Sequence, residues 1–500
     1  MITFLGIDIG TTGCKASLFN EDGVLLSDSY IEYQMEHAKN SNEYELSPLL
    51  VWQSVQTIIA EVMHNAPHAN VKALSISSLG EVVVPVDYDG NVLSNAILYL
   101  DQRGTEQSAR LDEKIGSKRI MDITGVPNHP MFSLPKVMWI KEHQIDIYNK
   151  TWKFMPFGNF IAYQLTGISV TDYSLASRTM ALNIAQKQWD IEMFNAAEID
   201  INKFPDLVQS DSIVGEVRGN IAQALGLRTT TLVVAGGHDQ ACAALGAGIL
   251  TSNQAVDGIG TVECITPVYA KPVLNSNMLE SQFNCAPHVI DGFYVTYAFN
   301  FTGGSVLKWY RDYLGQSAQL KAMEKGLSIY DYLSLTAPQD PTDLLVIPHF
   351  AGSGTPYMNP NAKGTIYGLT LNTSPEQIYR ALMEGVTYEM RHNLECLLAA
   401  GISIHSLRAV GGGAKSDLWL QIKADIMNLP IERLNVNEAG TTGNIILAGT
   451  AAGAYHSLEE AINVFVKPLH TFEPSHKNVE YYEQQYNKYK QISRAITKLY

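Results

Sequence analysis

Asp239 closes the stretch Val233-Val234-Ala235-Gly236-Gly237-His238-Asp239, an apolar strand that breaks at two glycines and runs into the small-residue helix around Ala241-Cys242-Ala243-Ala244. A carboxylate at a strand end can take the proton of a hydroxyl as that hydroxyl reacts. It can equally be an ordinary N-cap, since Asp is among the preferred caps. Both readings stay open on these residues alone. A second chemical stretch is Asp8-Ile9-Gly10-Thr11-Thr12-Gly13, a turn of small and hydroxylated residues with an acid on the strand before it. Such a turn lets backbone N–H groups approach a phosphate, and the acid could hold Mg²⁺ through water. The alternative is a plain tight turn with a buried Asp. Two further strand ends present Glu81, Asp101 and Arg103. Ligands in α/β sheets bind at strand carboxyl ends, and a polyhydroxylated ligand needs donors and acceptors together; singly, each of the three suits a solvated turn.

The elements that must carry these groups can be read from pattern. Thr3 to Ile9, Cys14 to Phe19 and Val24 to Tyr30 form a β-meander with Asp22-Gly23 at its hairpin. Ser47-Pro48 opens a helix reaching about His64, with Pro at its first position. Val71 to Ser77 and Val82 to Val86 are strands, Asp89-Gly90 is a turn, and Ile97 to Leu100 leads into Asp101. A helix starting near Pro135 puts Val137, Trp139 and Ile140 mostly on one side. Phe157 to about Gly226 alternates helices and loops without evident chemistry.

The second half repeats this outline. Gln254-Ala255-Val256-Asp257-Gly258-Ile259-Gly260-Thr261 sets an acid-bearing strand before Gly-Thr, as Phe4 to Thr12 does. Two such turns facing each other could hold one polyphosphate; coincidence between Gly-rich turns is the alternative. Phe301-Thr302-Gly303-Gly304-Ser305 precedes an amphipathic helix with Lys308. Leu345 to Gly354 reads as a strand entering a Gly/Ser loop, and Ser374-Pro375-Glu376 caps a helix. Leu407 to Val410 runs into Gly411-Gly412-Gly413-Ala414, a turn open enough for a nucleotide, followed by a helix from about Asp417. Glu438 to Gly443 opens another helix, and Asn478 to Tyr500 reads as a surface helix docked on the second half.

Five hundred residues suggest several domains. A net charge of −15 argues against nucleic acid or anionic lipid as partner. The five cysteines are scattered and odd in number, which supports neither a zinc site nor a disulfide framework and fits a reduced, cytoplasmic compartment. The first residues lack the features of a signal peptide, and no apolar run is long enough to span a bilayer.

Taken together these residues resemble the FGGY family of carbohydrate kinases over essentially the whole chain. Met131 to His143, with Lys136 and Trp139, matches one family signature. Gly364 to Leu369 with Gln377-Ile378 and Ala381 to Glu384 matches the other. The resemblance implies an α/β fold of two ribonuclease-H/actin-like domains, 1–247 for the sugar and 248–500 for the nucleotide, with a cleft between them. It implies transfer of the γ-phosphoryl group of ATP, with Mg²⁺, to a hydroxyl of a small sugar or polyol. Asp239 matches the catalytic base and lies beside the metal; Asp8 matches the acid associated with Mg²⁺. Gly10, Thr11, Thr12 and Lys15 match the first phosphate turn, and Gly260 and Thr261 the second. Gly304 and Lys308 match phosphate contacts, and Gly412, Gly413 and Ser416 the adenosine site. Glu81, Asp101, Arg103 and His238 are the sugar-side candidates. Glycerol kinases carry Arg-Glu where this chain has Gly80-Glu81 and Tyr where it has Met131, which argues against glycerol. Xylulokinases carry Met-His at 80–81 and Gly-Glu-Arg where this chain has Gly352-Ser353-Gly354, yet Gly236 to Gln240 reads like the ketose-kinase branch. A pentulose such as xylulose, a pentitol or another small polyol stays open. Members are often dimers, although the sequence marks no interface. A sugar-responsive regulator on the same fold and an actin- or chaperone-like ATPase are the competing readings.

Overall fold

The computed structural model describes residues 1–37 and 43–499. Its first large sheet is built from β1 (Ile2–Ile9), β2 (Gly13–Asn20), β3 (Leu25–Glu32), β4 (Asn70–Ser78), β5 (Ile213–Glu216) and β6 (Leu232–His238), in the order β5-β6-β4-β1-β2-β3. Its second is built from β7 (Gln254–Ile259), β8 (Glu263–Tyr269), β9 (Ala286–Pro287), β10 (Tyr294–Val295), β11 (Ser406–Val410), β12 (Ile431–Leu434) and β13 (Pro468–Phe472), in the order β9-β10-β8-β7-β11-β12-β13, with the short strand Ala298–Asn300 also pairing with β8. Reading outward from the hairpin, the two sheets agree. An antiparallel hairpin, β1–β2 or β7–β8, is flanked on one side by parallel strands, β4 and β6 or β11 and β12, and then by an antiparallel edge. The parallel strands are largely buried, with Val71, Leu74, Val233, Leu407, Ala409 and Ile431 in the core, while Arg408 of β11 pairs with Glu432 of β12 on a partly open face. The repeat suspected from two Gly-Thr turns is therefore a repeat of the whole sheet.

The acids of the two strands are not equivalent. Asp257 is not the counterpart of Asp8. Aligned on Gly-Thr, Asp257 falls one residue earlier, and one residue of slip sends a strand side chain to the opposite face. Asp257 is fully buried with Lys423, whose Nζ lies 2.9 Å from its carboxylate, and Lys423 also pairs with buried Glu263. This is an internal ion triad behind the second turn.

Two helices join the halves: α1 (Asp239–Gly246), which follows β6, and α4 (Ala439–Ala451), with α2 (Gly304–Tyr313) and α3 (Asp417–Met427) lying between them in the chain. A Cβ on Gly246 would lie 1.8 Å from the Ala439 carbonyl oxygen, and one on Gly443 2.0 Å from that of Cys242. The two backbones touch there because glycine leaves room. Ala241, Ala244, Leu245, Ile445 and Leu447 form with Phe4, Val234, Val256 and Val410 a core that belongs to both sheets. The Asn444 amide donates to the Ile7 carbonyl at 2.8 Å and to the Ser77 hydroxyl at 2.7 Å, so late chain is stitched into the first sheet.

Most other elements fall where pattern put them. Ser47 caps the helix Pro48–Asn65, and Ser374 with Gln377 forms a capping box on Pro375–Ala399. The signature helix starts at Ser133, two residues before Pro135. The last helix, His476–Ile496, is more than a surface element: Tyr482, Tyr486 and Tyr489 are buried against the second core. Tyr500, where that helix was expected to end, lies outside the described residues.

Candidate active site

Strand β6 reaches its end through a register shift against β4 between Ala235 and Gly237. The shift depends on glycine. A Cβ on Gly236 would lie 2.1 Å from the Ile76 carbonyl oxygen, and one on Gly237 2.4 Å from the Ser174 hydroxyl. Such irregularities re-aim the side chains that follow. Here they deliver His238 and Asp239 to the start of α1. His238, not Asp239, occupies the cap position, and its side chain makes no capping bond. Asp239 is the first helical residue, and its Oδ1 accepts the Gln240 N–H at 2.6 Å. The cap reading is thereby replaced: Asp239 keeps one carboxylate oxygen uncommitted, and 28 % of its side chain stays open to the cleft.

Burial pushes the Asp239 carboxyl up to about 8; the charges of Asp8 and Glu81 add to this, while the Gln240 N–H and Arg178 act against it. Asp8 is likewise raised to about 6, chiefly by burial, against a lowering hydrogen bond from the Ser77 hydroxyl at 2.5 Å. Since Asn444 fixes Ser77, α4 holds Asp8 in place. The Asp8 charge is thus among those that raise Asp239, whereas Asp8 itself is raised by burial and by the Glu438 charge. His238 Nε2 lies 3.3 Å from Asp239 Oδ1 and its Nδ1 lies 2.9 Å from the Tyr297 hydroxyl. Burial, with Arg178, holds His238 well below the usual range and so neutral.

The remaining sugar-side candidates divide into two clusters. Glu81, in a left-handed conformation (φ 62) that a non-glycine residue adopts at a cost, accepts from Arg178 Nε at 2.6 Å and also from Nη2. Asp101 and Arg103 bind each other, with Arg103 Nη2 2.6 Å from Asp101, and Arg103 reaches Glu45 at 2.8 Å and stacks 5.0 Å from the Trp139 ring centre. Lys136 of the signature helix lies between the clusters and feels Glu81, Asp101 and Arg103; burial pushes it down to about 7. The Lys136 ammonium donates to the carbonyls of Leu98 and Met131. Asp101 and Arg103 are thus committed to each other, and Glu81 is already paired with Arg178.

Sequence reading missed three groups. Arg178 lies in the segment that read as chemically silent. Tyr99, whose hydroxyl bonds Thr11, feels both Glu81 and Asp239. Tyr297, contributed by the second half, holds His238. Ser174 is the local signal for that segment: its hydroxyl accepts the His238 N–H at 2.8 Å, and Asp172 in turn accepts from Ser174.

On the other side, a cavity of about 1340 Å³ is lined by Gly260, Thr261, Gly304, Lys308, Gly412, Gly413 and Ser416. It therefore gathers every nucleotide-side residue expected from the second half, in a volume that admits a nucleoside triphosphate. Ser416 also caps α3, accepting the Trp419 N–H at 3.3 Å. Gly10, Thr11 and Thr12 make the β1–β2 turn, closed by the Gly10 N–H donating to Gly13. Lys15 is engaged: its ammonium lies 2.8 Å from Glu438 and 3.4 Å from Asp28, a link between the first hairpin and the start of α4.

Residues 3–246 match the FGGY family of carbohydrate kinases, N-terminal domain, and residues 258–452 match its C-terminal domain. The chain belongs to the FGGY family of carbohydrate kinases. Among relatives of this FGGY kinase, the xylulose kinase of Bacillus subtilis is 31 % identical over 489 residues, covering 98 % of this chain and 96 % of the relative. The gluconokinase of Bacillus licheniformis is 28 % identical over 503 residues, covering 99 % and 96 %. Two solved structures from Lactobacillus acidophilus share the fold, each with a TM-score of 0.89 at 24 % identity: a ligand-bound xylulose kinase, with 99 % of each chain covered, and a gluconate kinase, with 100 % of each covered. Among the described residues, no helix of this FGGY kinase is long and apolar enough to cross a membrane.

Proposed function

We propose that this FGGY kinase transfers the γ-phosphoryl group of ATP to a hydroxyl of a small ketose, a pentulose such as xylulose, with Asp239 as general base. The observation that carries the reading is the half-open Asp239 carboxylate, raised to about 8 beside Asp8. Together with the glycine-lined cavity of the second half, this makes a base, a cation site and a nucleotide site in one protein. Residues 1–247 supply the base and most of the acceptor side, and 248–500 the nucleotide cavity.

The acceptor hydroxyl is a weak nucleophile. Asp239 accepts its proton as the oxygen bonds to the γ-phosphorus and the bond to the bridging oxygen of ADP breaks. The donor set fits Mg²⁺, which takes one or two carboxylates and fills its remaining positions with phosphate oxygens and water; Asp8 and Asp239 would hold it, and it supplies charge neutralisation on the phosphoryl oxygens. Gly10 to Thr12, Gly260 and Thr261 offer N–H and hydroxyl donors to the phosphates, Gly304 and Lys308 add a backbone approach and a cation, and Gly412, Gly413 and Ser416 leave space for adenosine. Neutral His238, turned so that Nε2–H faces Asp239 while Nδ1 accepts from Tyr297, orients the base.

The test is product formation from ATP with ketoses, polyols and sugar acids offered in turn. The reading expects ADP release only when an acceptor is present, with a pentulose phosphate as product. ADP release indifferent to acceptor would favour an ATPase instead.

A further inference from the structure

Arg178 occupies space that the chain leaves empty at residue 80. A Cβ on Gly80 would lie 2.8 Å from Arg178 Cγ and 2.8 Å from His238 Cδ2. The guanidinium is sandwiched between Phe132 and Tyr297, 5.1 and 5.2 Å from their ring centres. Nε and Nη2 are spent on Glu81, but buried Nη1 has no partner. Nearby, Asn284 Oδ1 accepts the Tyr297 N–H at 3.1 Å, which fixes the orientation of the amide, and its buried Nδ2 also has no partner. Both residues line one small cavity of about 50 Å³ that Tyr297 also borders. Unpartnered buried donors are costly and rare. Two of them on one cavity point to a missing oxygen.

We propose that Arg178 Nη1 and Asn284 Nδ2 form a two-donor subsite for the carbonyl oxygen of an uncharged keto sugar, at the end of the acceptor remote from the hydroxyl that is phosphorylated. The inference rests on the kinase reading above and assigns the two donors that recognise the carbonyl of the acceptor. Tyr297 sets the distance, since its hydroxyl meets His238 beside Asp239 while its backbone N–H meets Asn284. A ketone oxygen only accepts, whereas an alcohol also has a proton to place, and the two orphan atoms are both donors. A carboxylate accepts too, but the Arg178 charge is already matched by Glu81. A sugar acid would bring an extra negative charge beside Glu81. At about 50 Å³ the cavity holds a few waters, so it must widen when a sugar enters.

The test compares D-xylulose with xylitol and D-ribulose with ribitol, pairs that differ only at the carbonyl, alongside D-gluconate. Wild type should favour at least one ketose over its pentitol by about tenfold or more in kcat/KM, in line with loss of a hydrogen-bonded group. Asn284→Asp, which keeps the acceptor oxygen and removes the donor, should cost the ketose about tenfold, mainly in KM, and move the pentitol by less than about twofold. Arg178→Lys should act in the same direction. Unchanged ATP binding, measured by calorimetry, shows that each variant is folded. Equal losses on ketose and pentitol, or a wild type that prefers a pentitol or gluconate, would overturn the subsite and leave the kinase standing. Turnover of no acceptor at all would bring down the kinase reading as well. If neither variant folds, the wild-type preference alone decides.

Discussion

His238 Nε2 lies 3.3 Å from Asp239 Oδ1, while the other ring nitrogen lies 2.9 Å from the Tyr297 hydroxyl of the second half. The base is thus held by a neutral imidazole that is itself held across the cleft. His238→Ala should reduce kcat by about 10–100-fold, the scale of losing one aligned contact to a catalytic group, with a far smaller change in ATP KM. Because the lost N–H stabilises the carboxylate, the acid limb of the pH–rate profile should move to higher pH.

Asp239 itself predicts the shape of that profile. Its carboxyl is raised to about 8 and works deprotonated, so kcat/KM in the absence of excess Mg²⁺ should climb with pH up to about 8 and then level. Rising Mg²⁺ should move the limb downward. The same shift sets stability. The folded protein binds protons at Asp8 and Asp239 that the unfolded chain releases near 3.8, so unfolding free energy falls as pH rises from about 4 through about 8. Asp239→Asn should raise Tm at pH 8 relative to wild type without ligands; a lower Tm would contradict the burial argument.

How far the residues alone led is clear at the two phosphate turns. Gly-Thr after a short apolar strand marks a hairpin whose chemistry is local, so the turn, its neighbouring acid and its glycines could be read directly. The Gly236-Gly237 break could be read too, because a register shift needs glycine where backbones meet. Arg178, Asn284 and Tyr297 could not. Arg178 meets Glu81 across 97 residues of chain, and no local pattern announces a long-range pair. The difference between Asp257 and Asp8 rests on strand register: one residue of offset from Gly-Thr turns Asp257 to the opposite face, where it meets Lys423. Lys15 matched the first phosphate turn, yet its ammonium is paired with a residue more than four hundred positions later.

The Glu81–Arg178 pair is buried, and removing one partner strands the other. Glu81→Gln should destabilise the fold by about 3–5 kcal/mol, whereas replacing both with Gln and Met should recover most of that loss. Denaturant unfolding of Glu81→Gln, Arg178→Met and the double variant measures the coupling, and additive losses would show that the pair is not one unit.

Gly412 and Gly413 make a sharper pair. A Cβ on Gly412 meets nothing within 4 Å, while one on Gly413 would lie 2.2 Å from Ile259 Cγ2. Gly412→Leu should fold normally and raise ATP KM about tenfold by projecting into the cavity; Gly413→Ala should cost about 1–3 kcal/mol through overpacking. Thermal unfolding and ATP titration on both variants separate the two effects.

The most direct measurement is acceptor-dependent ADP release by Asp239→Asn at saturating ATP, Mg²⁺ and ketose, beside wild type. The account predicts a fall in kcat of about 10²–10⁴-fold with ATP binding retained, since the variant keeps the shape of the side chain and loses only the base. A variant that phosphorylates its acceptor at close to the wild-type rate would contradict it.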